Sequence, residues 1–223
     1  MIDEETPHLR ARMVDEQLAA RGIRDPLVLA AMRQVPREAF VPETSRPYAY
    51  EDGPLPIGAG QTISQPYIVA LMLEAAQLKA TDRVLEVGAG SGYATAIASR
   101  IAAHVCAIER HPSLADAARE LLRALGYDRN VDLHCGDGSG GWPEAAPFDA
   151  IIVSASAPEV PAALRAQLAL GGRLVLPVGP TNETQELVKV TRRDTTRFDQ
   201  ETLCAVRFVP LIGAHAWAGD ERE

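Results

Sequence analysis

Three glycines at alternate positions, Gly88, Gly90 and Gly92, follow the apolar run Val84-Leu85-Glu86-Val87 and precede Tyr93-Ala94-Thr95-Ala96-Ile97-Ala98. The run has strand character, and the residues after the glycines open a helical pattern. A strand, a glycine turn and a helix start let backbone approach a nucleotide-like ligand closely, because no side chain fills the space the ligand needs. The spacing is G-x-G-x-G, and Tyr93 stands where G-x-G-x-x-G would place its last glycine. That shifts weight from a dinucleotide pyrophosphate towards S-adenosylmethionine, which has no phosphate to seat. A tight structural turn would use the same residues, so the rest of the chain must decide.

Three acids stand where an adenosyl ligand would need them. Glu109 closes the run His104-Val105-Cys106-Ala107-Ile108-Glu109, nineteen residues after Gly90. An acid at that strand end can accept hydrogen bonds from both ribose hydroxyls, or it can be a solvated strand-end acid. Asp137, between Gly136 and Gly138, is suited to accept from an exocyclic adenine amine, although Asp-Gly is also an ordinary turn. Glu86 precedes the glycines, close to where a methionine ammonium would lie. Upstream, Ser64 lies in Gln61-Thr62-Ile63-Ser64-Gln65-Pro66, with Pro66 in the first turn of a helix through Ile68, Leu71, Met72 and Ala75. Its hydroxyl has the chemistry of an N-cap, and a hydroxyl beside free N–H groups also suits a carboxylate; the two roles are compatible.

These residues need a frame to bring them together. From residue 83 strands and helices alternate: strands at 83–87, 104–109, 131–135, 148–154 and 173–178, helices near 92–102, 113–125 and 158–169. Gly126 and the pair Gly171-Gly172 read as helix stops. The pattern predicts a doubly wound, mainly parallel α/β sheet with helices on both faces, and ligands at the carboxyl ends of its strands. Runs at 185–192 and 202–209 predict a C-terminal antiparallel hairpin. Before the sheet, residues 8–21 predict a helix with Leu9, Met13 and Leu18 along one face and Gly22 ending it. Asp25-Pro26 predicts the start of a second helix, with Leu27, Val28, Ala31 and Met32 as its apolar side and its end before Pro36. Residues 36–60, rich in proline, glycine and aromatics, predict a binding edge or lid. The division expected is 1–60, N-terminal helices and lid packed on the core, and 61–223, one compact catalytic unit.

The chain has 223 residues, 47% hydrophobic and 23% charged, as in a soluble globular protein. A net charge of -8 argues against a sequence-independent nucleic-acid surface. No apolar run approaches the roughly 20 residues of a membrane span. The start, Met1-Ile2-Asp3-Glu4-Glu5, is acidic and lacks the features of a signal peptide. Cys106, Cys135 and Cys204 show no metal spacing and read as buried thiols, so no metal and a cytoplasmic location are expected.

With these residues assembled, the sequence resembles the protein-L-isoaspartate O-methyltransferase family, within the class I S-adenosylmethionine-dependent methyltransferases. The likeness rests on Val35-Pro36-Arg37-Glu38-Ala39-Phe40-Val41, Leu55-Pro56-Ile57-Gly58, the segment Gln61 to Pro66, the glycine turn, Gly136-Asp137-Gly138, Pro147 to Ile151, Leu174 to Gly179 and Val206-Arg207-Phe208-Val209-Pro210-Leu211. It covers nearly the whole chain. The glycine turn is shared by many methyltransferases; the Thr62 to Pro66 segment joined to Phe208 to Leu211 is far more specific. The resemblance implies a Rossmann-like fold and methyl transfer from S-adenosylmethionine to the free carboxylate of L-isoaspartyl residues in damaged proteins and peptides, with repair through a succinimide. It implies Ser64 as the active-site residue holding the acceptor carboxylate. Thr62, Ile63, Ser64, Glu86, Gly88, Gly90, Gly92, Glu109, Asp137 and Gly138 are then the cofactor-binding set, with Val209 and Pro210 beside the substrate. A monomer without nucleic-acid or membrane partners is expected.

A carboxylic acid with a pKa near 4 is ionised about a thousandfold over its acid form at pH 7, so such a reaction needs no general base. The absence of a His–Asp or Lys dyad near Ser64 accords with that. The competing readings are a class I methyltransferase acting on a small molecule or RNA, a nicotinamide-dependent oxidoreductase, and a non-catalytic protein retaining the fold.

Overall fold

The structure is a computed structural model that describes residues 6–181 and 183–218; the acidic start Met1 to Glu5 lies outside the described residues. Helix α1, Thr6–Arg12, widens into π geometry over Met13–Leu18 and tightens into a 3-10 turn, Ala19–Arg21. It ends where expected, at Gly22, whose φ of 108° is easy for glycine and strained for other residues. The widened turn rotates the face that a regular helix would present. Met13 and Leu18 are buried, but Leu9 is 41% exposed, a correction to the single apolar stripe. Helix α2, Pro26–Gln34, begins on Asp25, whose carboxylate accepts from the N–H groups of Leu27 (2.8 Å) and Val28 (3.3 Å). Val28, Ala31 and Met32 are buried, whereas Leu27, at the first turn, is 48% exposed.

The proline-rich stretch is more regular than its sequence suggests. Two 3-10 turns, Arg37–Phe40 and Glu43–Tyr48, lead into β1, Leu55–Gly58, which pairs antiparallel with β2, Gln61–Ile63. This hairpin joins residues on both sides of position 60, and Met13, Val28 and Phe40 share one apolar cluster with Val84 and Val105 of the central sheet. Helix α3, Pro66–Ala76, follows. Gln65, and not Ser64, stands at its N-cap, with no side-chain capping bond.

The remaining elements are β3 (Arg83–Val87), α4 (Tyr93–Ser99), β4 (His104–Glu109), α5 (Pro112–Leu125), β5 (Val131–Cys135), β6 (Phe148–Val153), α6 (Ala162–Ala166), β7 (Leu168–Val178), β8 (Gln185–Arg192) and β9 (Phe198–Val206). Seven strands lie in the order β5-β4-β3-β6-β7-β8-β9. The first five are parallel and the last two antiparallel, as expected from the β-α alternation and the terminal hairpin. Alternate residues of β3 enter opposite layers: Val84 lies in the cluster with α2, α3 and α4, and Leu85 and Val87 in the cluster with Leu164 of α6. From β3 the chain moves first to β4 on one side and later to β6 on the other. The crevice at the ends of β3, β4 and β6 is therefore the switch point where such sheets bind ligands.

The sheet revises three expected elements, the helix at 158–169 and the strands at 173–178 and 202–209. The helix expected over 158–169 is confined to Ala162–Ala166, because Leu168 joins β7 and pairs opposite Phe148, both fully buried. Gly171 and Gly172 consequently lie inside β7, beside its register shift, and stop no helix. The last strand ends at Val206, and residues 208–211 leave the sheet.

Below the sheet, Arg173 of β7 is tied to the segment before β3. Its guanidinium bonds the Asp82 carboxylate at 2.8 Å and the carbonyls of Ala76 and Gln77 at 2.7 Å each. Both partners are nearly fully buried. This pair fastens the end of α3 to the sheet and so sets the height at which the start of α3, next to Ser64, meets the crevice.

Candidate active site

The glycine turn wraps the end of β4. Gly88 and Ala89 donate to the Ile108 carbonyl at 2.8 and 3.1 Å. Gly90 donates to Glu109 Oε2 at 2.8 Å, and His111 donates to the other carboxylate oxygen at 2.9 Å. Glu109 is thus held rigidly, with each oxygen keeping acceptor capacity for a further donor. Gly92 stands at the N-cap of α4 with a φ of 87°, where a Cβ would lie 3.3 Å from Leu122 and 3.4 Å from Ala118. Its role is close packing between helices.

Above the turn lies a cavity of about 380 Å³. Thr62, Ile63, Ser64, Glu86, Gly88, Gly90, Glu109 and Gly138 all line it, as do Val209 and Pro210. Gly92, which is buried, and Asp137, which is exposed, do not.

Glu86 is the most perturbed acid in the cavity. It is almost fully buried, Thr95 donates to its Oε2, and its Oε1 has no hydrogen-bond partner among the described residues. Burial pushes its pKa up to about 8; the Thr95 bond works against that rise and the neighbouring Glu109 adds to it. An orphaned carboxyl oxygen at the wall of a cavity fits a cationic ligand group such as an ammonium. Because burial keeps the proton on Glu86 below about pH 8, accepting from an ammonium must release it. Affinity for S-adenosylhomocysteine is therefore expected to rise with pH towards about 8, by at most about tenfold per pH unit for one proton, and to fall again once the ligand's own ammonium loses its proton. Glu86→Gln should flatten that profile, and titration calorimetry across the range measures it. The same shift bears on the fold. A pKa raised above its unfolded value contributes stability that is fully present below pH 4.5 and is lost as pH rises through about 8.

Ser64 lies between β2 and α3, where a second cleft of about 410 Å³ opens. Thr62, Ser64, Ser154 and Val209 line both cavities, so Ser64 is one of four residues at their junction. Its hydroxyl caps no helix, which leaves it available to a ligand. The far wall of the second cleft is the segment from Ala205 to Val209. Ser156 donates to the Val209 carbonyl and Leu211 donates to the Ser156 carbonyl, both at 2.8 Å, which pins this segment against the end of β6.

Asp137 is anchored in the same manner as Glu109. Its carboxylate accepts from the N–H groups of Ser139 and Ala214, both at 2.8 Å. Burial opposes its charge, but the donors from Ala214 and Ser139 hold its pKa below the usual carboxylate value. His215 donates to Ser139 Oγ at 3.0 Å, and Trp217 donates through its ring nitrogen to the Ser156 carbonyl at 3.0 Å. The tail after Gly213 is thereby bound across the ends of β5 and β6, and Ile212 just before it lines the cavity. Asp137 does not line the cavity, yet like Glu109 it accepts one N–H at each carboxylate oxygen and keeps acceptor capacity at both.

Ser154 and Ile57 also line the cavity and were not marked by the sequence reading. Ser154 was accessible to the strand-end rule that identified Glu109, since it follows β6 directly. Ile57 carried no such signal, because only the β1–β2 hairpin brings it over Gly90.

The family model described as "Protein-L-isoaspartate(D-aspartate) O-methyltransferase (PCMT)" matches residues 9–216. The chain belongs to this family. A protein-L-isoaspartate O-methyltransferase of Rhodopseudomonas palustris is 59% identical over 209 residues, covering 94% of this chain and 95% of that protein. One from Protochlamydia amoebophila is 54% identical over 205 residues, covering 92% and 97%. Among solved structures, a protein-L-isoaspartate O-methyltransferase superposes with a TM-score of 0.82 at 30% identity, covering 92% of this chain and 67% of that one. A putative Plasmodium falciparum member in complex with S-adenosyl-L-homocysteine gives a TM-score of 0.78 at 30% identity, covering 91% and 98%. The doubly wound, mainly parallel sheet expected from the β-α alternation is the fold observed.

Proposed function

We propose that this methyltransferase transfers the methyl group directly, in line, to a carboxylate held by Ser64, with no general base. The enzyme is an S-adenosylmethionine-dependent protein-L-isoaspartate O-methyltransferase, and its substrates are proteins and peptides carrying isoaspartyl residues. The observation that supports the mechanism is the junction at Ser64, a hydroxyl-bearing residue that, with Thr62, Ser154 and Val209, borders both the glycine-turn cavity and the cleft beside residues 205–209. S-adenosylmethionine, when bound, supplies an electrophilic methyl on a sulfonium. Glu86 Oε1, Glu109, Thr62, Ile63 and the backbone of Gly88, Gly90 and Gly138 would hold it.

The chain's own work in this mechanism is orientation. Ser64 donates its hydroxyl proton to one carboxylate oxygen of the acceptor and leaves the other free to react. The acceptor is already ionised near neutral pH, so no side chain needs to take a proton. The β1–β2 hairpin, Val209 and Pro210 narrow the opening and exclude water where opposite charges meet and cancel. Methylation activates the isoaspartyl carboxyl for closure to the succinimide that starts repair.

The reading extends to a cytoplasmic monomer without nucleic-acid or membrane partners. The net charge of -8 supports the absence of a nucleic-acid surface. Cys106, Cys135 and Cys204 are free, and among the described residues no helix is long and apolar enough to cross a membrane. Methyl transfer from labelled S-adenosylmethionine to an isoaspartyl peptide, with the aspartyl isomer as control, tests the whole reading. Equal labelling of the two isomers would overturn it. Glu109→Ala is expected to weaken S-adenosylhomocysteine binding by about 10- to 150-fold for each charge-assisted hydrogen bond it makes to the ribose hydroxyls. Calorimetry showing wild-type affinity would remove Glu109 from the site.

A further inference from the structure

Arg37 lies outside both cavities, yet it is fully buried and bonded to the residue that joins them. Its Nε donates to the Ala49 carbonyl at 2.8 Å, and its Nη2 donates to the Ser64 carbonyl at 2.8 Å and the Gly53 carbonyl at 3.5 Å. The guanidinium carbon stands 4.9 Å from the centroid of the Tyr93 ring, which lines the cofactor cavity. No carboxylate hydrogen-bonds to Arg37 among the described residues. A buried cation without a counter-charge is costly, and a position needing only filled volume would be more stable with an apolar side chain. Nε and Nη2 serve three carbonyls from segments that have no regular pairing with each other: the end of the second 3-10 turn, the loop before β1, and the link from β2 to α3; Nη1 has no partner among the described residues.

We propose that Arg37 is a positioning residue for Ser64. By holding the Ser64 carbonyl on the same planar fork as Ala49, it fixes where the Ser64 hydroxyl stands between the two cavities, and with it the line of attack. The inference rests on Ser64 holding the acceptor carboxylate. A single well-placed contact of this kind matters because small misalignments of reacting atoms cost rate steeply. Lysine keeps the charge but has no planar fork, so it cannot hold two carbonyls in fixed relative geometry.

A double-variant cycle tests this. Arg37→Lys is expected to lower kcat on an isoaspartyl peptide about tenfold, while the Kd for S-adenosylhomocysteine stays within about twofold. In a Ser64→Ala background the same change should cost less than about twofold, because the group it aligns is gone. Arg37→Gln, which keeps a neutral amide donor, is the second variant, and circular dichroism melts establish that each is folded at the assay temperature. An equal loss of kcat in both backgrounds would overturn the inference while leaving Ser64 in place. Ser64→Ala at wild-type turnover would instead remove the reading on which it rests. Failure of both Arg37 variants to fold would assign Arg37 to the fold alone and also overturn it.

Discussion

Ser64→Ala is expected to lower turnover on an isoaspartyl peptide about 10- to 150-fold, with affinity for S-adenosylhomocysteine little changed. The magnitude follows from losing one hydrogen bond to a charged group, roughly 1.5–3 kcal/mol. The selectivity follows from position. Ser64 is at the edge of the cofactor cavity, shared with the second cleft, whereas Glu86 and Glu109 lie deep in it, at the ends of β3 and β4. The substitution leaves α3 intact, because Ser64 is not its cap, so a change in turnover reports on the acceptor and not on folding. Steady-state kinetics with the peptide and calorimetry with the cofactor product make the separation. Turnover unchanged from wild type would remove Ser64 from the mechanism.

Asp82→Ala is expected to destabilise the protein by about 3 kcal/mol or more, since it leaves the buried Arg173 guanidinium without its counter-charge. The Ala76 and Gln77 carbonyls remain as partners, which places the effect at the lower end of the range for broken buried pairs. Against a total stability of about 5–15 kcal/mol, that is a large fraction. Urea denaturation should show the midpoint falling with little change in slope. Glu16→Ala, which removes an exposed ion pair with Arg12, should leave the midpoint where it was. If Asp82→Ala behaves like that surface control, the pair does not fasten α3 to the sheet.

Most of the parallel sheet was legible because its strands are continuous apolar runs separated by glycine stops and helical patterns, signals carried by near neighbours in the chain. The boundaries of β3, β4 and β5 agree with the sequence reading to the residue. The reading failed where long-range burial outweighed local pattern. Helical periodicity continues past Gln167, but pairing Leu168 opposite Phe148 buries both completely, and the chain turns into β7 early. Leu9 and Leu27 are apolar at positions that a regular helix would bury, yet the widened turn after Arg12 and the position of Leu27 in the first turn of α2 leave both exposed.

The site divides along the same line. The acids at strand ends follow from sequence, since the carboxyl edge of a parallel sheet is set by connectivity, and so the chain alone specified Glu86, Glu109 and the glycine turn between them. Sequence could not tell that Asp137 is engaged by Ala214, 77 residues further along, or that Gly92 packs on α5. Nor could it show that Arg37, a long basic side chain that composition would place in solvent, is fully buried against the Ser64 carbonyl. Which residues have the chemistry for methyl transfer was written in their types and spacing. Which of them stand around one cavity was decided only by the tertiary structure, because Ser64, Glu86, Glu109 and Val209 are distant in the chain and meet only where the strand ends and the β1–β2 hairpin come together.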